Sequence, residues 1–194
     1  MPVNLSDPRV KRTRQLLLQS FMDLLEQKKN IYSISVQDIT ARATVNRSTF
    51  YAHFEDKYAF LECWMSVKFR NVMEMHLPDY ELTGMSDLRT LIQATFVFSA
   101  RLREYTSPGD VQFEPMFEIA IQKEIEQLLL RWLRQREGPQ TSVAKGMMET
   151  TAEVISWGIF GSAMQWSRHP GQRTVETMTR DVLAVAMTVL APVS

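Results

Sequence analysis

One cysteine, Cys63, stands in 194 residues, so no disulfide closes within the chain. The three histidines, His53, His76 and His169, lie too far apart in sequence to form a cluster of zinc-ligand spacing, and neither metal nor cofactor is expected. Glycine (7) and proline (8) are scarce, which excludes collagen-like and low-complexity chains. Motifs of catalysis are missing as well. There is no Gly-rich phosphate loop, no G-x-S-x-G elbow, no H-E-x-x-H, and no strand pattern to host a doubly wound sheet, so an enzyme is not expected. Long hydrophobic runs are absent too: the longest uncharged stretches, residues 154–167 and 182–194, fall short of the ~20 residues of a membrane span and read as buried helices. Charged residues interrupt the first fifteen positions and no apolar stretch follows, so no signal peptide is expected and the cytoplasm is the expected location.

What is present is a core-forming composition, 45% hydrophobic and 23% charged, with 22 basic against 22 acidic residues. Net neutrality conceals an asymmetry. Up to Phe54 the chain carries Arg9, Lys11, Arg12, Arg14, Lys28, Lys29, Arg42 and Arg47 against Asp7, Asp23, Glu26 and Asp38, a balance of +4. The remainder carries −4.

Turn signals recur every two to three dozen residues and the segments between them have helical periodicity, which predicts an all-α fold. Val10, Thr13, Leu17, Phe21, Leu24 and Leu25 line one face of a helix over residues 8–29, with Ser6 or Asp7 as its cap. Ser35-Val36-Gln37-Asp38 has capping-box form and starts a second, short helix. Thr44-Val45-Asn46 interrupts it, and Asn46 is placed to cap a third helix over residues 47–53. Further helices are expected over residues 56–75, 86–105, 115–136, 141–168 and 174–191, with stops at 107–110 and at Gly138-Pro139.

Residues 35–54 therefore have helix-turn-helix form: a short helix, a three-residue turn and a second short helix. Ile39, Ala43, Val45, Phe50 and Phe54 occupy the positions such a unit buries, leaving Arg47, Ser48, Thr49, Ala52 and His53 to project. Arginine pairs with guanine in the major groove, serine and threonine reach bases or phosphates, and the start of a capped helix favours an anion. This mixture suits a DNA-reading helix better than a hairpin in a core.

The run from Ser35 to Lys57, preceded by a basic amphipathic helix, resembles the N-terminal domain of TetR/AcrR-family transcriptional regulators. The string Thr49-Phe50-Tyr51-Ala52-His53-Phe54-Glu55-Asp56-Lys57 carries the resemblance, which covers about 60 of the 194 residues. Thr44 departs from it, since the family usually has glycine there. The resemblance implies a helix-turn-helix DNA-binding domain over residues 1–56 and a helical ligand-sensing and dimerisation domain over residues 57–194. It also implies a homodimer on a palindromic operator in double-stranded DNA, acting as a repressor released by a small hydrophobic effector. By position, Ser35 and Gln37 face phosphate and groove, Arg47, Ser48 and Thr49 enter the groove, and Tyr51, His53 and Lys57 contact phosphates. Blander readings stay open: Ser35 as a cap only, Tyr51 and His53 as packing residues, and Arg9, Lys11, Arg12 and Arg14 as a solvated face rather than an arm on the DNA.

In the C-terminal part, residues 174–191 carry two apolar rows, Val175, Met178, Val182, Val185 and Val189 in one and Leu183, Met187 and Leu190 in the other. One modest core cannot satisfy both rows, so one is expected to meet a second chain. With the small residues of the preceding helix this places a dimer interface at Ile155, Gly158, Ser162, Val182, Val185 and Val189; the alternative is a helical core with nothing beyond it. Trp64, Phe96, Phe113, Phe117, Trp157, Met164 and Gln165 are the candidate effector contacts. Gln165 lies in an otherwise uncharged helical stretch, where burial requires a hydrogen-bond partner; the apolar candidates also suit a plain core. A helical protein-interaction module, or an activator with no small-molecule ligand, is the competing function.

Overall fold

Local signals in the chain start and stop each helix of the computed structural model, which describes residues 7–105, 114–136, 142–169 and 171–190. The order is α1 (Pro8–Lys28), α2 (Val36–Arg42), α3 (Arg47–His53), α4 (Lys57–Glu74), a 3-10 turn (Pro78–Tyr80), α5 (Met85–Arg103), α6 (Glu114–Arg136), α7 (Ser142–Arg168) and α8 (Val175–Leu190). No strand occurs among the described residues, and the fold is all-α as expected. Phe113 and the stops expected at 107–110 and 138–139 lie outside the described residues. The 3-10 turn was not foreseen; Asp79 and Tyr80 both take φ of 55° there.

Two compact units divide the chain: residues 1–64 with 104–116, and residues 65–103 with 117–194. In the first, Asp7 rather than Ser6 caps α1, its Oδ1 accepting from the Arg9 amide at 2.8 Å, and Pro8 sits in the first turn where its missing N–H costs nothing. Leu17, Phe21 and Leu25 of α1 are buried, whereas Val10, Thr13 and Leu24 on the same expected face are only half-buried. The Ile31 amide donates to the Tyr105 carbonyl at 3.1 Å.

In the second unit α5 packs against both α7 and α8. The buried Glu124 of α6 accepts from Arg70 of α4 at 2.9 Å and from the Tyr80 hydroxyl at 2.7 Å. Burial, and then that hydrogen bond to Glu124, push the Tyr80 phenol above its usual range, so it stays a neutral donor.

Candidate nucleic-acid interface

The second helix begins on a complete capping box. Ser35 Oγ accepts from the Asp38 amide at 3.1 Å while Asp38 Oδ2 accepts from the Ser35 amide at 2.8 Å. That backbone hydrogen bond, with further help from Lys28 at 3.0 Å, holds the Asp38 carboxyl down at about 2, so the cap is ionised throughout the physiological range. Ser35 is thus a cap, and it is also exposed, as is Gln37.

The end of α2 is a Schellman arrangement: the Val45 amide donates to the Thr40 carbonyl at 3.0 Å and the Thr44 amide to the Ala41 carbonyl at 3.2 Å. Thr44 pays for it with φ of 55°, a left-handed conformation that costs a β-branched residue about 1–2 kcal/mol. Thr44→Gly is therefore expected to raise stability by about 1 kcal/mol, read as a higher urea midpoint with an unchanged slope. A lower midpoint would mean the threonine side chain contributes more than its backbone loses.

Ile39, Ala43, Phe50 and Phe54 are buried as expected, while Val45 is only half-buried. Phe50 stands 5.5 Å from Phe54 and 5.3 Å from Phe60, Phe60 stands 5.4 Å from Phe21, and Phe21 meets Trp64 at 5.0 Å. This aromatic cluster welds α3 to α1 and α4. Asn46 occupies the N-cap position of α3 in an extended conformation, but its side chain makes no cap hydrogen bond, so it is a cap by backbone only.

Arg14, left open by the sequence between a solvated face and an arm on the DNA, is a brace. Its Nη1 donates to the His53 carbonyl at 2.8 Å, its Nη2 to Cys63 Sγ at 3.1 Å, and its guanidinium lies 4.2 Å from the centre of the Phe54 ring. Arg9, Lys11 and Arg12 are exposed and have no ion-pair partner among the described residues, whereas Arg42 is paired with Asp23 at 2.8 Å.

Phe50 fixes the inward direction of α3. At 100° per residue, Ser48 and Ala52 then lie within about 20° of the outward direction, with Arg47 and Tyr51 on one flank and Thr49 on the other. Exposure agrees: Arg47, Ser48, Tyr51 and Ala52 are exposed and Thr49 and His53 half-buried. Arg47 Nη2 donates to the Tyr51 hydroxyl at 3.3 Å across one helical turn. His53 Nδ1 is buried without a hydrogen-bond partner among the described residues, and burial, reinforced by Arg14, pulls its imidazole below the usual histidine range. The ring is consequently neutral at pH 7. Lys57 Nζ donates to the Tyr32 carbonyl at 3.0 Å. The outward direction of Ala52 is the feature that sequence reading underused: it placed the residue on the projecting face without giving it a role.

The C-terminal candidates divide differently. Residues 154–167 and 182–190 are not buried helices, because an apolar face of α7 and α8 lies open. Val185 is 66% exposed, Val154 54% and Trp157 44%, and within α8 only Thr179 and Ala186 are buried. A groove of about 350 Å³ runs along this hairpin past Ile155, Gly158, Ser162, Val182, Val185 and Val189. A Cβ added at Gly158 or Gly161 would meet nothing within 4 Å. Lack of charge marked these segments correctly as apolar but not as covered.

The effector candidates differ in unit and in burial. Trp64 is buried in the first unit, donating Nε1–H to Met22 sulfur at 2.9 Å. In the second unit Phe96 and Phe117 are buried, Met164 is half-buried, and Trp157 and Gln165 are exposed. Gln165 is on the surface and so does not need the buried hydrogen-bond partner expected of it. Among the described residues no group of three His, Cys, Asp or Glu side chains could hold a metal ion, and no helix is long and apolar enough to cross a membrane.

Fold and site together define a helix-turn-helix protein with a helical C-terminal unit. The family model for bacterial regulatory proteins of the tetR family matches residues 25–62. An uncharacterised HTH-type transcriptional regulator, YxbF of Bacillus subtilis strain 168, is 39% identical over 56 residues, a match spanning 29% of this chain and 15% of that protein. Among solved structures, the TetR-family transcriptional repressor FadR of Thermus thermophilus, in complex with lauroyl-CoA, shares 20% identity with a TM-score of 0.58 over 93% of this chain and 98% of its own. A TetR transcriptional regulator of Streptococcus agalactiae 2603V shares 19% with a TM-score of 0.53 over 94% and 97%. Residues 25–62 are thus similar to the tetR-family regulatory segment, and the chain shares the fold of these solved regulators.

Proposed function

We propose that the protein is a dimeric, cytoplasmic DNA-binding regulator, a repressor released from a palindromic operator by a small hydrophobic effector. The observation that carries this reading is the exposed face of α3, where Arg47, Ser48, Tyr51 and Ala52 project from a helix whose opposite side is locked into an aromatic core. Arg47, Ser48 and Thr49 enter the major groove, with Gln37 beside them. Ser35, Tyr51 and Lys57 contact phosphates, and His53 does so as a neutral donor rather than as a cation. Residues 1–56 read DNA and residues 57–194 sense ligand and dimerise.

The open apolar face of α7 and α8 supports self-association, since a monomer in water would leave Val154, Val185 and Val189 uncovered. Two-fold symmetry then requires the recognition helices to match successive major grooves about 34 Å apart. An effector acts by binding one spacing better than the other, because equal affinity for both would shift nothing.

Fluorescence titration of duplex DNA from the region upstream of the protein's own gene, at several salt concentrations, tests the reading. Arg47→Ala is expected to cost about 1–3 kcal/mol and to relax preference at one base position. Lys57→Ala is expected to weaken all sequences alike and to lower the salt slope by about 1. Unchanged affinity and salt dependence in both variants would overturn the docking.

A further inference from the structure

We infer that Ala52 is a specificity determinant, its methyl packing against the 5-methyl of a thymine in each half-site. The inference rests on the DNA reading above and deepens it by naming what the helix reads. The outward ridge of α3 consists of Ser48 and Ala52, the two short side chains, so base edges can approach the helix closely along that line. The longer Arg47 and Tyr51 stand on the flank of that ridge and are bonded to each other at 3.3 Å.

Ala52 has no donor or acceptor. Apart from the C5 position of the pyrimidines, a methyl in thymine and a bare C–H in cytosine, the major-groove edge groups are polar: N7 and O6 of guanine, N7 and the amino group of adenine, the amino group of cytosine, O4 of thymine. Pressing an alanine methyl onto any of these strips water from a polar atom and supplies no partner. The thymine methyl is the largest apolar edge group and gives the alanine methyl the most surface to cover. Ser48, one turn earlier on the same ridge, can donate or accept and so tolerates several bases. Discrimination on this ridge therefore falls to Ala52.

The test uses the full-length protein. Sites are first selected from a random duplex library, and each thymine of the recovered half-site is then replaced in turn by deoxyuridine, which keeps the base pair and removes only the methyl. One position per half-site is expected to weaken binding about fourfold, the worth of one buried methyl group. The Ala52→Gly variant, checked for an unchanged fold by circular dichroism, is expected to lose that sensitivity while tolerating every other position as the wild type does. A selected site with no methyl-sensitive thymine overturns the inference and leaves the DNA reading standing, as does equal sensitivity in Ala52→Gly. A library that yields no site overturns both.

Discussion

Truncating Phe50 to alanine is expected to destabilise the first unit by about 3–5 kcal/mol, the range for emptying a fully buried aromatic site. The side chain is completely buried, and its ring meets those of Tyr51, Phe54 and Phe60 at 5.3–5.5 Å, so its removal also forfeits ring–ring contacts, edge-on with Tyr51 and tilted with the other two, worth about 0.5–1.5 kcal/mol per pair. A unit of this size has little stability to lose, since total stabilities run to only about 5–15 kcal/mol. Loss of DNA binding with the C-terminal helices intact is the expected outcome, seen as a separate early transition in a far-ultraviolet melt. A melt superimposable on that of the wild type would show that α3 does not depend on this ring.

The second large effect is expected from Val185→Asp. Because Val185 is 66% exposed within the chain, the substitution should change the fold of a single chain by no more than about 0.5 kcal/mol. In a dimer closed through α7 and α8, the same carboxylate would be forced into an apolar contact without a partner, which costs several kcal/mol. The mass measured by light scattering is therefore expected to fall from two chains to one. Operator affinity should fall about 10²–10⁴-fold as two linked half-sites become one. An unchanged mass would place the dimer contact on another face.

The helix-turn-helix was legible almost to the residue because its signals are local. The Ser35-x-x-Asp38 box, the turn at Thr44 and the aromatic string after Thr49 each act within one or two helical turns, and the structure starts α2 at Val36 and α3 at Arg47. The role of Arg14 was not legible for the opposite reason: its partners His53 and Cys63 lie 39 and 49 residues away, and nothing near Arg14 separates a brace from a free cation. The exposure of α7 and α8 was half legible. Two apolar rows on one helix announced a surplus of hydrophobic surface, but absence of charge could not tell Ala186, which is buried, from Val185, which is not. Gln165 failed as a signal because a polar residue in an apolar segment is equally at home on that segment's surface.

A helix of seven residues does not hold itself together in water, where even favourable sequences need about 12–15. The order of α3 is borrowed: Phe50 and Phe54 pin its inner side, and Arg14 grips the carbonyl of its last residue from α1. On the DNA reading proposed above, this surface is ordered before any duplex arrives, and association is spared the entropy that a disordered basic segment loses when it folds on its target. Contact energy gained by Ser48 and Ala52 can then appear as discrimination between sequences instead of being consumed in building the helix.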